Sequence, residues 1–182
     1  MDRMTLAVTA LALAMLAGQA CAQDAAVVNA WPKAGAWTTV LRTLPGGGLA
    51  CSSTTGPQKT GNGEEEASFG VEISGQETHF HLRLRGAAPM DPSSLKMEAA
   101  GAEVVDMPVI QRLDKDGVQA FTADIVGDRF VRLAEPRLVG KAPVVIRAGD
   151  RTFALPHEDF LRTIDNLSAC TAEMRQPSDR LR

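Results

Sequence analysis

The sequence predicts an α+β domain, mainly β: an antiparallel sheet or β-sandwich with one C-terminal helix packed on it. Three observations carry that expectation. Short runs between residues 37 and 155 alternate apolar and polar side chains and are separated by glycine-containing turns. An apolar stripe at helical spacing follows Pro156. Two cysteines, Cys51 on an early strand and Cys170 on the helix, remain once an N-terminal leader is removed.

Residues 1–22 have the layout of a signal peptide. Met1-Asp2-Arg3 is a short n-region, residues 4–16 are apolar but too short to span a bilayer, and Ala20-Cys21-Ala22 supplies the small residues of a cleavage site. Cleavage is expected after Ala22, which makes the protein periplasmic or secreted. Lipid anchoring through Cys21 is the weaker alternative, because Gly18 stands where a lipobox carries leucine. Cleavage removes Cys21, and the two remaining thiols are expected to pair in an oxidising compartment. A Cys51–Cys170 bond closing a loop of about 120 residues stabilises the fold by roughly 4–5 kcal/mol in the chain-entropy treatment.

Residues 23–34 are small and polar, a flexible leader to a single β-rich domain over 35–174. "WTTVLRT" (37–43) and the strand carrying Cys51 (49–53) flank "LPGGG", which has the chemistry of a hairpin loop. Residues 56–66, with almost no apolar content, predict a mobile surface loop. "SFGVEISG" and "THFHLRLRG" then alternate around Gly75-Gln76. Phe69, Val71, Ile73, Phe80, Leu82 and Leu84 point one way, and His79, His81, Arg83 and Arg85 the other. Residues 92–100 fit a short helix or a strand, with the alternation of Leu95, Met97 and Ala99 favouring the strand. Residues 104–110 and 118–125 form a hairpin turned at Asp116-Gly117, and residues 128–134 a short helix stopped before Pro136. Strands at 144–147 and 152–155 surround "AGD". The last helix buries Phe160, Leu161, Ile164, Leu167 and Cys170, with Glu158 and Asp159 favouring its positive end. Residues 175–182 are a frayed polar tail.

Composition excludes several function classes. A net charge of −3 provides no basic field for nucleic acid. Six Phe, two Trp and no Tyr are too few for an aromatic sugar or nucleotide platform. No second apolar stretch would form an integral membrane segment after cleavage.

"WTTVLRTLPGGGLACSS" at one end and "RTFALPHEDFLRTIDNLSAC" at the other bracket "FTADIVGDRFVRLAEPRLVGKAPVVIRAG". This arrangement resembles the invasion-associated locus B family and similar small exported domains of Gram-negative bacteria. The resemblance implies a periplasmic or surface β-rich domain with no catalytic residue to carry over.

Candidate chemistry is sparse. His79 and His81 fall on one strand face and supply two imidazoles, whereas a metal site usually takes three or four ligands; His157, at the start of the last helix, is the third histidine. Arg83 and Arg85 share the histidine face, where they repel a cation and suit an anion. Ser93-Ser94-Leu95-Lys96 matches S-x-x-K without its partner motifs. Asp114 opens no calcium loop, since Ile125 stands where an EF-hand needs glutamate. His157 and Asp159 have no nucleophile elbow to serve. Two readings follow. The first is a non-catalytic envelope protein without cofactor, structural or binding an envelope protein or ligand. The second is a metal-binding protein or hydrolase using His79 and His81, with or without His157.

Overall fold

The computed structural model describes residues 26–60, 64–99, 104–126 and 142–176. The signal peptide expected at 1–22, the helix expected at 128–134 and the tail beyond Gln176 lie outside them. The described residues form eleven strands: β1 (Val27–Ala30), β2 (Trp37–Thr43), β3 (Leu49–Thr55), β4 (Gln58–Thr60), β5 (Glu65–Ser74), β6 (Glu77–Arg85), β7 (Ser94–Glu98), β8 (Val105–Lys115), β9 (Val118–Asp124), β10 (Val144–Ala148) and β11 (Arg151–Leu155). Helix α1 (His157–Met174) follows.

All the pairings are antiparallel, in the order β1-β2-β3-β5-β6-β9-β8-β7-β10-β11, with β4 beside β5. The sheet folds into a sandwich because β8 is shared. Its first half pairs with β7 and its second half with β9, with a register shift between Val109 and Gln111. A bulge there bends the strand and turns β7, β10 and β11 back over the main sheet. Phe153 of β11 thereby stacks edge-on against Phe69 of β5, with ring centroids 5.6 Å apart.

Register gives the main sheet one continuous apolar face. Leu41 pairs with Cys51, Cys51 with Ile73, Val71 with Phe80, Phe80 with Ala123, and Leu82 with Phe121. Directly paired residues share a face, so these side chains form a single inner layer. The smaller sheet answers with Leu95, Met97, Met107, Ile146 and Phe153, all buried. Helix α1 covers the same inner face over β2 and β3 through Phe160, Ile164 and Leu167. Cys170 is bonded to Cys51, with their Cα atoms 5.9 Å apart.

Several expectations are revised in detail. The expected leader over 23–34 includes β1, which pairs with β2; Asn166 of α1 donates to the Pro32 carbonyl at 2.9 Å, and Asn29 donates to Glu173 at 2.8 Å. Residues 56–66 contain β4 and the start of β5 instead of only a loop. Their polarity misleads because backbone pairing to β5 needs no apolar side chain. Chain β3–β4 is a strand interrupted at Gly56-Pro57, and the Thr55 hydroxyl accepts the Phe69 N–H at 2.9 Å where the ladder breaks. On α1, Leu161 is only half-buried and Thr163 takes its place inside, its hydroxyl donating to the Asp159 carbonyl at 2.8 Å. Residues 92–100 contain β7, as the alternation favours.

The connection from β6 to β7 crosses the inner side of the sheet, and the buried side chain of Gln119 is one of its anchors, beside Arg151 on the Ala88 carbonyl and Arg112 on Asp91. Gln119 accepts from the Met90 N–H at 2.9 Å and donates to the Ala87 and Ala88 carbonyls at 3.1 Å each. Leaving the Met90 N–H and the Ala87 carbonyl unpaired costs about 1–3 kcal/mol. Gln119→Met is therefore expected to lower stability by that amount and to speed exchange of the Met90 amide at least about tenfold, read by native-state hydrogen exchange. Unchanged exchange at Met90 would show that the connection does not depend on this side chain.

Candidate functional site

The face opposite the core presents a groove across β3, β5, β6 and β9. Its floor is built of small residues brought together by register: Thr54 lies beside Gly70, Gly70 beside His81, and His81 beside Thr122. Ser52, Ser68 and Ala120 complete that floor, and the cavity measures about 460 Å³. Gly70 keeps it open: a Cβ at this position would lie 3.3 Å from Thr54 Cγ2 and 3.5 Å from His81 Cβ. A second recess of about 200 Å³ shares Pro57, Ser68 and Arg83 and extends toward Glu66 and Arg85. The two make one furrow along β5 and β6.

Charge lies along its rim. Arg42 pairs with Glu72, while the Arg42 Nε is buried and has no hydrogen-bond partner among the described residues. Among the described residues, Arg83 and Arg85 have no carboxylate within ion-pair distance. His81 Nδ1 and the Thr122 hydroxyl are 3.2 Å apart. Burial lowers the pKa of His81 from its ordinary 6.5; His79 and Arg42 add to this, and Glu72 opposes it. The arrangement offers hydroxyls, an imidazole and two unpaired guanidinium groups. It suits a polar ligand carrying negative charge.

That titration predicts a pH dependence with a definite sign. The folded chain resists protonating His81, while the unfolded chain takes up the proton near the ordinary value. His81 therefore has no effect on stability well above pH 6.5, and stability falls as pH drops through that value toward the lower folded pKa. Denaturant titrations on either side of that pH should show a smaller acid loss for His81→Asn than for the wild type. Equal losses in both proteins would assign the acid sensitivity to other groups.

His79 and His81 share the outer face, as their two-residue spacing requires, with ring centroids 6.4 Å apart. His157 does not join them. It begins α1, which packs on the inner face, so the sheet lies between His157 and the other two. Among the described residues no three His, Cys, Asp or Glu side chains come close enough to hold a metal ion. The three-histidine site therefore does not assemble. Arg42, Ser52, Thr54, Glu72 and Thr122 carried no signal in the sequence, since their proximity depends on the register of separate strands. Comparison of the chain with family models, curated proteins and solved structures finds no match in any of the three.

Proposed function

We propose that this chain is an exported, non-catalytic envelope domain that binds a polar, negatively charged ligand or protein segment in the outer furrow. The furrow carries the reading: a floor of hydroxyls and glycine bordered by the unpaired Arg83 and Arg85. The leader sequence and the resemblance to invasion-associated locus B proteins support export, and the Cys51–Cys170 bond suits an oxidising compartment. The test is affinity capture from envelope extracts with the wild type and an Arg83→Glu, Arg85→Glu variant in parallel. A ligand held by the wild type and lost by the variant supports the furrow, whereas equal retention rejects it. Mass analysis of the exported product tests cleavage after Ala22 separately.

A hydrolase is the second reading, favoured by the contact between His81, held neutral by burial at ordinary pH, and the Thr122 hydroxyl. Ester hydrolysis by the wild type that disappears in Thr122→Val would support it. No turnover of an activated acetate ester by the wild type would reject it.

A further inference from the structure

The second half of β8 is an open edge. Residues 110–115 are all exposed, including Ile110 at 57% and Leu113 at 56%. Strand β7 reaches only to Pro108, and the Val109 N–H is taken by the Ser93 carbonyl. Beyond that point β8 pairs with β9 on one side, and among the described residues no backbone hydrogen bond reaches its other side. An unpaired edge of this kind is a template for another strand.

We propose that a second copy of this chain docks on this edge, antiparallel, about a two-fold axis midway between Leu113 and its image. Symmetry limits the choices. Residues directly opposite in an antiparallel pair share a face, so the axis must stand perpendicular to the sheet between the strands, midway between one residue and its own image. With the axis at Leu113, Arg112 of each copy faces Asp114 of the other, Leu113 meets its own image, and Gln111 faces Lys115. Moving the axis to Arg112 opposes two guanidinium groups, and moving it to Asp114 opposes two carboxylates; both arrangements are repulsive. Moving it to Gln111 requires pairing at Val109, where the N–H is already taken. Only the Leu113 register matches charge with charge and apolar with apolar.

Within one chain Arg112 already contacts Asp114 at 2.7 Å and Asp91 at 2.8 Å, so the guanidinium is held at this edge before a partner arrives. Pairing would join two main sheets into one. Leu113 lies beside Ala120 and Ala120 beside Arg83, so the two furrows would flank the axis on a common face. Five residues of edge make a small interface, and such interfaces are weak and reversible.

Sedimentation velocity from about 10 µM to about 1 mM reads the association directly. The wild type is expected to move from monomer toward dimer. Arg112→Asp alone and Asp114→Arg alone should each raise the dissociation constant at least about tenfold, by placing like charges opposite each other. An equimolar mixture of the two variants restores both cross-strand pairs and should dimerise as a heterodimer. An ion pair acting only within one chain cannot be rescued by mixing. Thermal melts by circular dichroism check that each variant folds. In the wild type, the amides within 111–115 that point away from β9, every second one along the strand, should also gain exchange protection with concentration. A wild type that stays monomeric throughout, single variants that still dimerise, or folded variants whose mixture does not associate would each overturn the proposal.

Discussion

Replacing Cys51 and Cys170 together with alanine is expected to lower stability by roughly 4–5 kcal/mol, the largest effect of any change considered. The bond joins residues 119 apart in sequence, so its loss releases a long loop in the unfolded chain. It also ties α1 to β3 at a point where both cysteines are fully buried. Alanine suits the test better than serine, because a hydroxyl in that core would need a partner of its own. Guanidinium titrations of the oxidised wild type and the double variant measure the difference. A loss below about 1 kcal/mol would show that packing of Phe160, Ile164 and Leu167 alone holds the helix in place.

Phe80→Ala is expected to cost about 3–5 kcal/mol, whereas His79→Ala next to it should change stability by no more than about 0.5 kcal/mol. Phe80 is fully buried in the inner layer, with its ring 6.4 Å from that of Phe69. Truncating it leaves a void between the two sheets, which the paired strands cannot close by a small shift. His79 stands on the opposite face, where removal of its ring leaves no internal cavity. Comparable losses at both positions would contradict the alternation on which the whole sheet is read. Denaturant midpoints of the two variants, with the slope held common, decide the matter.

The same strand shows how far the sequence reaches. "THFHLRLRG" alternates so regularly that the pattern alone puts Phe80, Leu82 and Leu84 in the core and His79 and His81 outside it, and all five lie there. The hairpin turns were legible for a local reason as well. Asp116 and Gly117 both adopt positive φ, at 53° and 74°, which suits the Asp-Gly pair found there. Local signals failed where backbone pairing rather than side-chain chemistry makes the strand. Strands β1 and β4 are such cases: one is exposed along its length, and the other is polar.

The candidate site was legible only in part. The alternation puts His81, Arg83 and Arg85 on one polar face, with an anion among the ligands that face suits. The floor of the furrow was not foreseen, because Thr54, Gly70 and Thr122 come from three strands far apart in the chain.

By itself the sequence determined the mainly β class, the amphipathic strands, the final helix and the pairing of Cys51 with Cys170. Each follows from side-chain periodicity or from the count of cysteines, which are properties of the chain alone. The tertiary structure decided which strands are neighbours, where the bend in β8 folds the sheet over, and that His157 stands across the sheet from His79 and His81. Those outcomes rest on backbone hydrogen bonds between distant segments. Every residue but proline offers the same donor and acceptor for such bonds, so they leave little trace in the order of side chains.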